Sequence, residues 1–435
     1  MRPSIAAAIA IAIAIAAPPA LACGQRVHVE MARRAADELL ARSGAIVPGI
    51  ERLFEEREVR AAFYCGAMFP DFGYDGIDPE AAEHTHWRAY QEAHFEVVRA
   101  RLGGRGAAEW TREDRRRIAF FLGVVSHGVT DNPWHFSSRE RPSFLAEAKA
   151  RDGADHGPTE VAGDLLLHAD AARLVRIERG DWYWPRDDIL EALRRSGSAT
   201  TRGKLGRGCL RIETTWHAAA LAGPLAGGIL RARRPWIAAH LDDHAFGGIA
   251  HGAAATAHWA RYYYARFVGL HLFQDTPEYG RAGAEHVYTY AGCRDGAGAG
   301  TPVLELGGER RIEIAFDVSA VPAGTRVARA TLWLHSLGGG GPEGETVAEA
   351  RLAGGGATAR ALSTARLTGE PGWVGFDVTA GFDRALVISA PDAPALYRFD
   401  SSAAFDEPGR ADGLGGGVRV AYRPILVVEP DRGDR

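Results

Sequence analysis

The sequence predicts a multi-domain α plus β protein: an all-α helical domain followed by an all-β, jelly-roll-like sandwich. Three observations carry that reading. Fifteen of the sixteen histidines precede residue 290. Up to roughly residue 270, apolar residues recur at helical intervals, as in Ala32, Ala35, Ala36, Leu39 and in Ile118, Phe121, Leu122, Val125, Val129. Beyond about residue 300 the apolar runs shorten and alternate, as in Ile312, Ile314, Phe316, with glycine-rich turns between them.

Taken in order, the chain opens with Arg2 and an unbroken Ile/Ala run from Ile5 to Ala17, then Pro18-Pro19 and Ala20-Leu21-Ala22. A basic start, a short apolar core and an Ala-x-Ala site make a secretory signal peptide over 1–22. The run is too short to span a bilayer comfortably. Cleavage after Ala22 makes Cys23 the mature N-terminus and places the protein in a secreted, periplasmic or extracellular location. Lipoprotein anchoring through Cys23 is disfavoured, because Ala20 stands where a large aliphatic residue is usual. The helical domain then occupies 23–290. A linker without periodicity, 291–300, precedes the sandwich at 301–430. Trp333 and Trp373 in the sandwich read as buried aromatics in preference to sugar platforms.

Composition narrows the function classes. With 435 residues, 46% hydrophobic and 24% charged, the chain can bury a sizeable core and is neither disordered nor collagen-like. A formal charge of −4 gives no basic field for nucleic acid or anionic membrane, and no nucleic-acid partner is expected. Four cysteines, Cys23, Cys65, Cys209 and Cys293, allow three full pairings, and none forms a C-x-x-C pair of a thiolate zinc site.

The strongest local signal is Ser126-His127-Gly-Val-Thr-Asp131-Asn-Pro133-Trp-His135. One helical turn separates His127 from Asp131, so both can reach one ion. Pro133 is expected to bend the chain and swing His135 towards a neighbouring position. His156 and Glu160 repeat the one-turn spacing. His28, Phe69-Pro70-Asp71 and Glu83-His84-Thr85-His86-Trp87 lie upstream. Imidazoles and carboxylates without paired thiolates suit zinc. His84, His94, His168 and His217 read as ordinary structural histidines. His240, His244, His251 and His258 read as a partly solvated helix face.

In this order, from Cys23-Gly24 through His28, Asp71, His86, His127-x-x-x-Asp131-x-x-x-His135 and His156-x-x-x-Glu160-x-x-Gly163-Asp164, the chain resembles the zinc-dependent phospholipase C superfamily. Within it, the chain is most similar to the glycosylphosphatidylinositol-specific phospholipase D family; Leu241-Asp242-Asp243-x-Ala245-Phe246 is similar too. Fungal single-strand-specific nucleases share the metal arrangement more distantly. The resemblance covers nearly all of 23–270 and implies about three zinc ions. It assigns the first to Asp71, His86, His127 and Asp131, and the second to His135, His156 and Glu160. The third falls to His28, a bridging oxygen of Asp131, and the terminal amine and carbonyl of Cys23. Cys23 is also placed as a disulfide partner for Cys65, which precedes Asp71 by six residues.

What the resemblance implies chemically is a phosphodiesterase in which metal-activated water attacks phosphorus, with Asp71 as both ligand and candidate general base. Its substrate would be a phospholipid or a glycosylphosphatidylinositol-type lipid at a membrane surface, with C-type or D-type cleavage left open. The alternatives are a zinc-dependent single-strand nuclease on the same metals and a non-enzymatic carbohydrate-binding adhesion protein. The chain departs from the phospholipase D family after the helical domain, where no calcium-loop propeller repeats occur. Residues 301–430 are instead similar to a polysaccharide-binding secreted module.

Overall fold

The computed structural model describes residues 24–42, 46–136, 142–173, 175–242, 247–273, 293–295, 303–307, 310–316, 318, 321, 324–339, 346–354, 360–367, 372–390, 393, 397–400 and 424–431. The segment 1–22, Cys23 and all but 293–295 of the 291–300 linker lie outside them. The chain forms two compact units: among the described residues, 24–40 and 49–260 belong to the first, and 41–42, 46–48 and those from 261 onward to the second.

Twelve helices are present among the described residues: α1 (Gln25–Arg42), α2 (Glu51–Glu55), α3 (Arg57–Met68), α4 (Pro79–Thr85), α5 (Arg88–Leu102), α6 (Arg112–His135), α7 (Phe144–Asp152), α8 (His156–His168), α9 (Arg186–Arg195), α10 (Arg202–Arg233), α11 (Pro235–His240) and α12 (Ile249–Val268). A 3-10 turn, Phe69–Gly73, joins α3 to the segment before α4. None of the described helices is long and apolar enough to cross a membrane.

Helix α6 is the axis of the unit. It starts at a reciprocal cap in which the Thr111 hydroxyl accepts from Asp114 N at 3.1 Å and the Asp114 carboxylate accepts from Thr111 N at 2.9 Å. From Ile118 to Trp134 every residue is buried, so neighbours surround it. Its closest neighbour is α3. A Cβ on Gly66 would sit 2.0 Å from Phe120 O, and one on Gly123 would sit 2.1 Å from Phe63 O. Only glycine at both positions lets the two backbones meet.

Helix α1 is capped from a distance. Asp164 on α8 accepts from Arg26 N at 2.9 Å and from Val27 N at 3.1 Å, satisfying two of the orphan donors of the α1 first turn. Gly163 makes room for this approach, since a Cβ there would lie 2.9 Å from Val27 Cγ2. The pairing locks the N-terminal helix, and His28 with it, onto α8.

One expectation is corrected here. His251 and His258 are fully buried on α12, not solvated. The first half of that helix is mostly small residues, and Gly252 packs directly on Met31, so several of its sides are covered. Cys65 and Cys209 are buried free thiols, and Cys23, the partner expected for Cys65, lies outside the described residues. Cys65 points into the helical core, where burial pushes its pKa up to about 12.

The second unit holds two antiparallel sheets. One has the order β1 (His271–Phe273), β11 (Ile425–Pro430), β5 (Val327–Gly339), β10 (Tyr397–Asp400), β3 (Val303–Leu306), with β8 (Gly372–Asp377) also on β5. The other has the order β2 (Cys293–Asp295), β4 (Arg311–Phe316), β9 (Leu386–Ser389), β6 (Thr346–Leu352), β7 (Ser363–Leu367). The alternation read from the sequence is the inward face: Leu332, Leu334 and Phe376 of the first sheet share one core with Ile312, Ile314 and Ile388 of the second. His271–Phe273, within the span assigned to the helical domain, pairs with β11. Trp333 lies over Gly375 and Trp373 meets His335 edge-on at 5.2 Å, so both indoles pack within their own sheet.

Candidate metal centre

Five elements of the helical unit converge on one cavity of about 370 Å3. His28 comes from α1, Asp71 from the 3-10 turn, His86 from the end of α4, and His127, Asp131 and His135 from α6; His156 and Glu160 on α8 complete the wall. Because α6 presents residues four apart on one stripe, His127, Asp131 and His135 stack one turn above another. The helix continues through Pro133 to His135. His135 therefore comes from the same helix as His127 and Asp131. Near a helix end, a proline removes only the partner of the Val129 carbonyl, and the turn survives.

Asp131 is the centre of the cluster. Its Oδ1 lies 3.2 Å from His28 Nε2 and 3.1 Å from His135 Nε2. Its Oδ2 lies 3.4 Å from His86 Nε2 and 3.5 Å from His127 Nε2. One carboxylate thus faces two separate sets of imidazoles. Buried Oδ1 has no well-aligned hydrogen bond to either of its neighbours.

The ring tautomers are set from behind. His86 Nδ1 donates to Ala82 O at 2.9 Å and His127 Nδ1 donates to Ala67 O at 2.7 Å. The Thr130 hydroxyl donates its single proton to a carbonyl one turn back, so it accepts from His28 Nδ1 at 2.9 Å. All three rings then turn Nε2 lone pairs inward. Two of those, on His86 and His127, face each other at 3.1 Å. Asp71 Oδ1 stands 3.4 Å from His86 Nε2 and 3.7 Å from His127 Nε2.

Electrostatics follow from this crowding. Burial works against a charged ring at His86, but the Asp71 and Asp131 carboxylates outweigh it and push the pKa up to about 9. His135 reaches about 9 for the same reason, with Asp131 and Glu160 opposing burial. His28 goes the other way, down to about 4, because burial and the neighbouring His127 dominate. At Asp131 burial is opposed by His135 and His127, which hold the carboxyl well below its usual range.

Three ligand groups stand out among the described residues: His28 with His127 and Asp131, Asp71 with His86 and His127, and His135 with His156 and Glu160. The donors are all imidazole nitrogens and carboxylate oxygens, the set that suits zinc. A cation can replace the proton shared by the facing Nε2 atoms of His86 and His127 and can satisfy the buried Oδ1 of Asp131. The residues fit the metal. Cys23 lies outside the described residues, but Gly24 beside it sits at the cluster, where a Cβ would be 3.8 Å from the His28 ring and 3.9 Å from Glu160 Cγ.

A family model described as zinc dependent phospholipase C matches residues 27–198, the stretch that carries every described ligand. Over these residues the helical domain is similar to the zinc-dependent phospholipase C-like superfamily. Phosphatidylinositol-glycan-specific phospholipase D of Rattus norvegicus is 30% identical over 178 residues, 39% of this chain and 20% of that protein. The Homo sapiens protein of that name is 28% identical over 178 residues, with the same shares. The Dictyostelium discoideum one is 28% identical over 177 residues, 38% of this chain and 17% of its own length. The match thus spans about a fifth of the length of these relatives. No solved structure matches the chain significantly.

The cavity mouth was not legible beforehand. Tyr74, Phe136 and Leu145 line it beside Trp87. Tyr74 OH and Trp87 Nε1 donate to the two oxygens of Glu83 at 2.8 and 2.9 Å, fixing both rings at the rim. Arg211 on α10 donates to Asp71 O at 2.6 Å and pairs with Asp75, holding the turn that carries Asp71. None of these residues has a metal-ligand spacing that would mark it. The histidines set aside fall outside the cluster: His94 is buried between Tyr90, Phe120 and Phe121, His168 meets Trp216, and His84 bonds Ser196.

Proposed function

We propose that the helical domain is an exported zinc-dependent phosphodiesterase that hydrolyses phospholipid-type esters. The observation that carries this is Asp131, a buried carboxylate whose two oxygens face different imidazole sets within one open cavity. A closed structural zinc site has four ligands and no free face. Here the ligand groups are multiple and border about 370 Å3 of accessible space.

The reading assigns Asp71, His86, His127 and Asp131 to one ion, and His135, His156 and Glu160 to another. A third takes His28, Asp131 and the terminal amine and carbonyl of Cys23. Zinc in such a site supplies a nucleophile near neutral pH and neutralises charge on a phosphodiester. Asp71 is ionised, because His127 and His86 outweigh its burial, and it lines the cavity where it can accept a proton. Tyr74, Trp87, Phe136 and Leu145 give the mouth an apolar rim that suits a lipid ester. The names of the matched relatives point to a phosphatidylinositol-glycan substrate class, and this reading extends that class to the chain.

One observation favours a second reading. Trp87 and Phe136, 6.2 Å apart at the mouth, could stack a nucleobase, as a single-strand nuclease requires. The formal charge of −4 works against it. Zinc-loaded protein assayed side by side on phosphatidylcholine, phosphatidylinositol, a glycosylphosphatidylinositol-anchored protein and single-stranded DNA separates the two. Turnover of a lipid and loss of it in Asp131→Asn is the expected result. Cleavage of DNA alone, or lipid turnover unaffected by Asp131→Asn, overturns the lipid reading.

A further inference from the structure

A second recess lies on the helical unit, away from the metal ligands. The segment Asp181-Trp182-Tyr183-Trp184-Pro185 is neither helix nor strand, and its burial alternates: Asp181 and Tyr183 are buried, Trp182 and Trp184 half-buried. Tyr183 turns inward, donates to Glu113 at 2.9 Å and stacks under Arg116 at 4.1 Å. Trp182 and Trp184 turn outward and are half-buried. Their rings are nearly parallel, 16° apart with centroids at 5.8 Å.

Both indoles are held from behind by α10. Trp184 Nε1 donates to Glu213 at 2.8 Å, and Trp182 meets His217 edge-on at 6.0 Å. Together they form a fixed aromatic shelf along an open recess of about 560 Å3, within the range of small-molecule sites. Its polar border is Glu113, Arg117, Arg186, Asp187 and Asp188. Two of these are already oriented, since Arg117 Nε donates to Asp188 at 3.0 Å while Arg101 Nε holds the other Asp188 oxygen at 2.9 Å.

This chemistry selects among ligands. Three carboxylates and two guanidiniums nearly cancel, so the recess offers no concentrated positive charge for a phosphate. Two rings so close and nearly parallel leave no gap between them for a quaternary ammonium, which needs aromatic faces around it. A stacked indole pair bordered by fixed donors and acceptors of both signs suits a neutral polyhydroxylated ring, with C–H groups against the outer indole surface and hydroxyls on the border. We propose that the Trp182–Trp184 shelf is a carbohydrate-binding subsite for a neutral oligosaccharide. Helical rise separates Arg117 from Asp131 by about 20 Å along α6, so the subsite does not depend on the metal reading.

The test is calorimetric titration of the full chain with maltotriose, cellotriose, mannotriose and chitotriose, beside inorganic phosphate and phosphocholine. The expected result is that at least one trisaccharide binds and shields indole fluorescence from acrylamide, while neither phosphate nor phosphocholine competes. Trp182→Ala should weaken binding about tenfold, the equivalent of about 1.4 kcal/mol, with zinc content unchanged. Should that variant fold poorly, Asp187→Asn, at an exposed border position, is expected to weaken binding too. Failure of all four sugars to bind, displacement by phosphocholine, or binding undiminished in a folded variant would overturn the proposal.

Discussion

His86 and His127 aim their Nε2 atoms at each other across 3.1 Å while each Nδ1 is committed to a backbone carbonyl. Two such nitrogens need a positive charge between or beside them: a proton on His86, whose pKa is pushed up to about 9, serves in the metal-free protein, and a cation can replace it. The backbone imposes the arrangement: Ala67 on α3 and Ala82 on α4 fix the tautomers, and Asp71 and Asp131 flank the pair. The protein thereby holds both Nε2 atoms where a cation can take the place of the shared proton.

That readiness rests on partners behind the ligands. Thr130 orients His28 through Nδ1, so Thr130→Val should leave the ring free to flip and lower zinc affinity about 10- to 100-fold. Competition with a chromogenic chelator measures this. Unchanged affinity would mean that packing against His127, at a centroid distance of 3.8 Å, orients His28 without Thr130.

His156 sits at the open edge of the cluster, its side chain 63% exposed, and shares one ligand group with His135 and Glu160. His156→Ala is expected to lose about one zinc of about three and to leave the thermal stability of the zinc-free protein nearly unchanged. Elemental analysis decides it. Loss of all zinc would show that the groups do not fill independently.

The crossing of α3 and α6 sets the Ala67–His127 contact. Gly66→Ala would drive a Cβ into Phe120 O, a backbone atom that cannot move aside. A loss of about 3 kcal/mol or more is expected, with zinc lost in parallel. Urea denaturation with metal analysis checks both, and a variant as stable as the parent would contradict the crossing geometry.

Asp164 provides a pH signature. Burial, with Glu160 nearby, outweighs its backbone donors and pushes its pKa up to about 7, above the ordinary value of about 3.9. The folded state therefore binds this proton more tightly than the unfolded chain. Its contribution to stability is complete below about pH 4 and is lost as the pH rises through about 7. In zinc-free protein, Asp164→Asn keeps an acceptor for Arg26 N and Val27 N and should flatten the decline in stability between about pH 5 and pH 8. Identical slopes in urea titrations of the two proteins would rule this out.

Much of the centre was readable because helical spacing and ligand chemistry coincide. His127, Asp131 and His135 recur every four residues, and His156 and Glu160 do the same, so helix geometry alone puts them on common faces. Asp71 and His86 were reached through motif order, and the structure brings them to Asp131. What spacing could not show was burial that depends on partners far along the chain. His251 and His258 look like a polar stripe until Met31 and its neighbours cover α12. Pro133 looks like a break until the turn is seen to survive it. Tyr74, Phe136 and Leu145 carry no ligand chemistry, so only their convergence marks the rim. In the second unit, alternation identified β4, whereas the three-residue β1 has too few positions to show a period.

The central claim is that Asp131 joins two sets of ligands in one multi-zinc centre. Diffraction from zinc-loaded, exported protein, collected on either side of the zinc absorption edge, tests this directly. The account predicts about three anomalous peaks within the ligand cluster, with Asp131 between two of them and a free Cys23 amine at one. A single peak held by four ligands, or no peak within reach of Asp131, would contradict it.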